Sequence, residues 1–163
     1  MTMREVHDGV EFTLRSILGD RTLAVAKSLT GGALAHRIVS VPGSSAYFLG
    51  GVVAYANEAK ERLLHVQPST LAMRGAVSEE TALEMARGVR AAFGADVGLS
   101  TTGVAGPDGG SDKKPVGLVY IALATEMDAI CTRNHFAGGR LEVMEQSVER
   151  ALEMLRDHLA NQE

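Results

Sequence analysis

Thr22-Leu23-Ala24-Val25-Ala26-Lys27-Ser28-Leu29-Thr30-Gly31-Gly32 is the stretch that decides the fold. An apolar run carrying a β-branched valine gives way, through two hydroxyl residues and two glycines, to the helical pattern of Thr30 to Val39. A strand feeding a helix in this way is the building step of an α/β domain. The same junction sets hydroxyls at a helix N-terminus, where free N–H groups and the positive end of the dipole receive an anion. Ser28 is therefore a candidate nucleophile. A serine before a helix is also an ordinary cap, and the hexapeptide from Lys27 to Gly32 leaves both readings open.

Working outward, Val6, Val10, Leu14, Ile17 and Leu18 recur at helical spacing from Arg4 to Leu18, ended by Gly19-Asp20. The spacing after the junction predicts a turn over residues 41–45 and a short helix over Ala46 to Leu49. A strand then runs from Gly50 to Tyr55, followed by a helix from Asn57 to Leu64 capped by Asn57. Ser78 to Phe93 reads as a helix with Ser78 as its cap and Glu79 and Glu80 against the dipole. Asp96 to Thr101, Val116 to Thr125 and Ala129 to Phe136 read as strands, and Leu141 to Leu159 as a long amphipathic helix. The last two strands lie too close for a helical crossover, so they pair as a hairpin. The expected architecture is α/β: one three-layer α/β/α domain over residues 1–163, with a central mixed sheet.

Composition narrows the function classes. The formal charge is −4, with Lys and Arg scattered rather than clustered, which argues against a dedicated nucleic-acid binder. A single cysteine, Cys131, excludes an internal disulfide and fits a reducing compartment. No stretch reaches the roughly 20 apolar residues of a membrane span. The N-terminus carries charges of both signs, unlike a signal peptide. A cytoplasmic location is expected.

A serine hydroxyl needs a base. The five histidines form no recognisable Ser-His-Asp set. Lys60 and Tyr55 are the plausible activators: a buried lysine can lose its proton, and a tyrosine can relay or position one. The bland alternative is a cap serine, a core tyrosine and a solvated lysine. From Gly103 to Gly110 four glycines and a proline form a loop whose backbone can approach a ligand closely. It matches neither Walker A nor the dinucleotide fingerprint, and a long turn between strands is its structural alternative. Thr102 offers a hydroxyl beside it, and Lys114 and Arg140 are candidate phosphate contacts. There is no HExxH, CxxC or tight His/Asp/Glu cluster, so no metal is expected.

Read together with Tyr55-Ala56-Asn57-Glu58-Ala59-Lys60, Thr102 to Gly110 and Lys114-Pro115-Val116-Gly117, the hexapeptide makes the chain resemble the C-terminal domain of the CinA family, the nicotinamide-nucleotide amidohydrolases. The resemblance runs from about Arg4 to Leu159. It implies hydrolysis of nicotinamide mononucleotide to nicotinate mononucleotide and ammonia without a cofactor. It implies Ser28 as nucleophile, with Tyr55 and Lys60 activating it. Thr30, Gly31, Thr102, Gly103, Gly106 and Arg140 are the implied substrate contacts. The implied partners are a small nucleotide and further copies of the chain in a homo-oligomer, with no nucleic acid or membrane. In the family Lys27 is usually Glu, Leu29 Cys and Ala56 Ser. These departures motivate an alternative: a pyridine-nucleotide-binding or regulatory protein that retains the fold with impaired catalysis.

Overall fold

The computed structural model describes residues 9–162. Five strands, β1 (Leu23–Lys27), β2 (Phe48–Val53), β3 (Val97–Gly103), β4 (Leu118–Ala124) and β5 (Ala129–His135), form one sheet in the order β2-β1-β3-β4-β5. β1 is parallel to both β2 and β3, whereas β3–β4 and β4–β5 are antiparallel. The sheet is mixed, as the short connection between the last two strands required. β1 is buried along its whole length because helices cover both faces, which explains its unbroken apolar run.

The helices are α1 (Leu14–Leu18), α2 (Ala33–Val39), α3 (Asn57–Leu64), α4 (Pro68–Arg74), α5 (Glu79–Phe93) and α6 (Arg140–Ala160). Alternation along the strands sorts the core into two layers. Leu23, Val25, Leu99 and Ile121 pack with Leu14, Leu34, Val148 and Leu152, so α1, α2 and α6 cover one face. Ala24, Ala26 and Ala54 pack with Leu64, Met85 and Val89, so α3 and α5 cover the other. The alanines let the helices on this second face sit close. A Cβ added to Gly88 of α5 would lie 1.8 Å from the Leu64 carbonyl oxygen at the end of α3.

Several boundaries differ from expectation. Arg4 to Asp8 lie outside the described residues; the chain then makes a 3₁₀ turn at Val10–Thr13 before α1. The helix expected from Thr30 begins at Ala33, after a turn. The short helix placed over Ala46 to Leu49 is instead a 3₁₀ turn at Ser44–Ala46, and β2 starts at Phe48. Asn57 is the first residue of α3, not its cap; Ala56 holds the cap position without a side-chain bond. Helix α4 was not anticipated, because it buries no residue and so leaves no hydrophobic period. Ser78 does cap α5, accepting from the Thr81 N–H at 3.2 Å.

Candidate active site

At the carboxyl ends of the parallel strands, Ser28 follows β1 and Tyr55 lies two residues beyond β2. At the same end the loop of residues 104–117 joins β3 to β4. Open α/β sheets place ligands at such an edge. A cavity of about 250 Å³ lies here, lined by Ser28, Leu29, Tyr55, Val77 and residues of the glycine-rich loop, with Arg140 from α6.

Lys60 comes from the first turns of α3, where Asn57 to Leu64 runs back along the sheet. Its side chain is only 1% exposed. The ammonium nitrogen lies 3.2 Å from Ser28 Oγ and donates to the main-chain oxygens of Ala54 at 2.9 Å and Tyr55 at 3.1 Å. Burial pushes its pKa below the ordinary lysine value. A neutral amine has two N–H bonds and one lone pair. With both hydrogens held by the two carbonyls, the lone pair is left for the serine hydroxyl. The arrangement can therefore take a proton from Ser28.

The Tyr55 side chain lines the same cavity as Ser28, and among the described residues its hydroxyl bonds neither Ser28 nor Lys60. It is 64% exposed, and its hydroxyl accepts from Arg140 Nη2 at 3.2 Å. What Tyr55 gives Lys60 is its carbonyl. Arg140 also donates through Nη1 to the Gly106 carbonyl at 2.7 Å, tying α6 to the glycine-rich loop and to Tyr55. At Gly106, φ is +84°, a conformation that favours glycine, and a Cβ there would meet Val116 at 2.5 Å.

Other residues singled out from sequence have structural partners. The Thr30 hydroxyl is buried against that of Thr101 at 3.0 Å, and neither Thr30 nor Gly31 lines the cavity. Gly103 and Gly106 do line it. Thr102 is 1% exposed and donates to the Ala76 carbonyl at 2.8 Å, so it fixes the segment that carries the cavity residue Val77. Lys114 donates to the Arg74 carbonyl at the end of α4. Among backbone groups, the N–H of Ser28 is used by the Thr101 carbonyl and that of Gly31 by the Ser28 carbonyl. Sequence reasoning missed Val77 and Asp108 as cavity residues, and the Ala54 carbonyl as a partner of Lys60. A carbonyl has no residue-type signal, and Asp108 sits in a loop whose glycines and proline carry its sequence signal.

Lys27 points away from all this. Its amine lies 3.2 Å from where a Gly51 Cβ would sit, and that Cβ would also touch the Val25 side chain. This is the face of β1 covered by α2, opposite the one that meets α3. Burial is the cause that lowers the pKa of Lys60. Cys131 is chemically quiet: burial first, then the Glu79 and Glu80 carboxylates, push its thiol up to about 12. Among the described residues no cluster of His, Cys, Asp or Glu could hold a metal, and no helix is long and apolar enough to cross a membrane.

The fold and the site together define a class: a mixed-sheet α/β domain with a buried lysine against a serine at the strand ends. The chain belongs to the CinA C-terminal domain family, whose model matches residues 11–159. A CinA-like protein of Geobacter sulfurreducens is 54% identical over 138 residues, covering 85% of this chain and 33% of that protein. The crystal structure of competence/damage inducible protein CihA from Agrobacterium tumefaciens superposes with a TM-score of 0.87 at 37% identity, covering 93% of this chain and 95% of that one. A CinA superfamily protein from Enterobacter cloacae gives 0.89 at 34% identity, covering 98% and 99%. The chain spans about a third of the length of the curated relatives it matches.

Proposed function

We propose that the chain is an amidohydrolase acting on nicotinamide mononucleotide, releasing ammonia and nicotinate mononucleotide. The observation that carries the reading is the buried Lys60 amine, 3.2 Å from Ser28 Oγ, with its pKa lowered by burial. In the proposed sequence Lys60 takes the Ser28 proton as Oγ attacks the amide carbon. The same proton passes to the leaving nitrogen, ammonia departs, and water resolves the acyl-enzyme by the reverse transfer. The main-chain N–H groups of Leu29 and Thr30, which begin the turn after Ser28, and those of the glycine-rich loop are the proposed holders of the tetrahedral oxyanion. Arg140 is the proposed phosphate contact.

The test is ammonia release from nicotinamide mononucleotide by the purified chain, with Ser28→Ala and Lys60→Met alongside. A well-placed base contributes about 10²–10⁴-fold, and Lys60→Met should lose turnover on that scale. Unchanged turnover in Ser28→Ala would refute the mechanism. Saturable ligand binding without turnover by the native chain would favour the binding or regulatory reading that Lys27, Leu29 and Ala56 motivated.

A further inference from the structure

We propose that the cavity selects an amide carried on a cationic ring, with the Asp108 carboxylate and the Tyr55 ring holding the positive charge. This rests on the amidohydrolase reading and specifies which amides it takes. Asp108 and Arg140 are the charged side chains that line the cavity, and their situations differ. Arg140 is engaged with the Gly106 carbonyl and the Tyr55 hydroxyl. Asp108 makes no hydrogen bond or ion pair among the described residues. Asp108 is exposed, so its carboxylate is partly screened by water and salt but free to pair with a ligand at the wall of the cleft. Tyr55 is held at the same cavity by its hydroxyl, which leaves its ring exposed rather than packed in the core. An exposed aromatic ring and a free carboxylate on one cavity are the two group types that attract a cation from water. A nicotinamide linked through its ring nitrogen to ribose is such a cation, whereas its 1,4-dihydro form has the same amide, ribose and phosphate on a neutral ring. With Arg140 contributing positive charge and Asp108 negative, the cavity complements a zwitterion.

Calorimetric binding to Ser28→Ala separates charge from chemistry, because this variant should bind without turnover. Oxidised nicotinamide mononucleotide should bind about tenfold tighter than the 1,4-dihydro form, since an exposed cation–π contact and one ion pair are each worth a few-fold. Adding Asp108→Asn should cut the preference to about threefold by weakening the oxidised ligand alone. Asp108→Glu should restore part of it. The fold should tolerate both changes, as Asp108 has no partner to lose. Equal affinity for the two forms, equal weakening of both by Asp108→Asn, or no binding of either overturns the proposal. Ammonia release by the native chain is scored separately. A charge preference that depends on Asp108 supports this proposal even where turnover is absent and the amidohydrolase reading fails.

Discussion

Gly88→Ala tests whether the approach of α5 to α3 sets the site. The added methyl carbon would lie 1.8 Å from the Leu64 oxygen, 2.7 Å from its carbonyl carbon and 3.0 Å from its Cα. All three are main-chain atoms, so no side-chain rotation relieves the clash; the end of α3 must retreat by roughly 1 Å or more. Overpacking of this kind costs about 1–3 kcal/mol, and a rigid backbone partner puts it at the upper end. Alanine in place of a mid-helix glycine returns about 1 kcal/mol in helix propensity. The net is a loss of about 2 kcal/mol, or about 4–8 °C in Tm for a domain of this size. The movement also reaches the chemistry, because Leu64 lies one turn beyond Lys60 on α3. An ångström added to the 3.2 Å separation from Ser28 breaks the hydrogen bond, and such misplacement costs on the order of 10²-fold in rate. Thermal melts and ammonia-release kinetics would be compared with Gly32→Ala, where φ is −88° and an added Cβ meets nothing within 4 Å. A Gly88→Ala protein that melts with the native chain would refute the reasoning.

Further expectations can be checked on the same protein. Thr102→Val leaves the half-buried Ala76 carbonyl without its donor, so urea denaturation should show a loss of about 1 kcal/mol. Ligand affinity should also fall, because the Val77 segment loosens, even though Thr102 lines no part of the cavity. Ser78→Ala removes the cap of α5 and should cost about 1 kcal/mol, read as a small drop in Tm. For Lys27, burial lowers the folded-state pKa below 10.5, so the unfolded chain binds more protons between the two values. Stability from this group therefore rises with pH across that window and is lost as pH falls through the depressed value. Lys27→Met removes a buried amine and should stabilise the chain by about 1 kcal/mol below the window. The advantage should shrink towards pH 10.5, and urea titrations at neutral and alkaline pH would reveal a constant difference if the assignment is wrong.

The central strands and long helices were legible because burial dictates their residues. β1 and β4 are apolar runs, α5 carries a serine cap and two glutamates, and α6 keeps a clear apolar face. β2 was displaced by two residues because alternate positions on this edge strand are open to solvent, so its apolar run did not mark its ends. α4 left only punctuation, Pro68 at its first turn and Gly75 after its last. Ser28 and Lys60 stood out as members of motifs, but nothing in their spacing required the amine to reach the hydroxyl; the fold of α3 onto β1 does that. The hydroxyls of Thr30 and Thr102 looked available in sequence and are spent on Thr101 and Ala76. Which neighbour a short polar side chain chooses depends on strand register and loop path, which local pattern does not encode.

Lys27 and Ser28 are joined by one peptide bond, yet the pleat turns them to opposite sides of the sheet. Inheritance treats them as one motif, while selection meets them as two separate places. A substitution at position 27 is judged by α2 and the open edge of β2; one at position 28 is judged by α3 and whatever enters the cavity. A change of charge at position 27 therefore meets a different set of neighbours from a change at position 28. In such chains adjacency along the motif is a poor guide to which residues must change together, and the partners to watch beside Ser28 are Ala54, Tyr55 and Lys60.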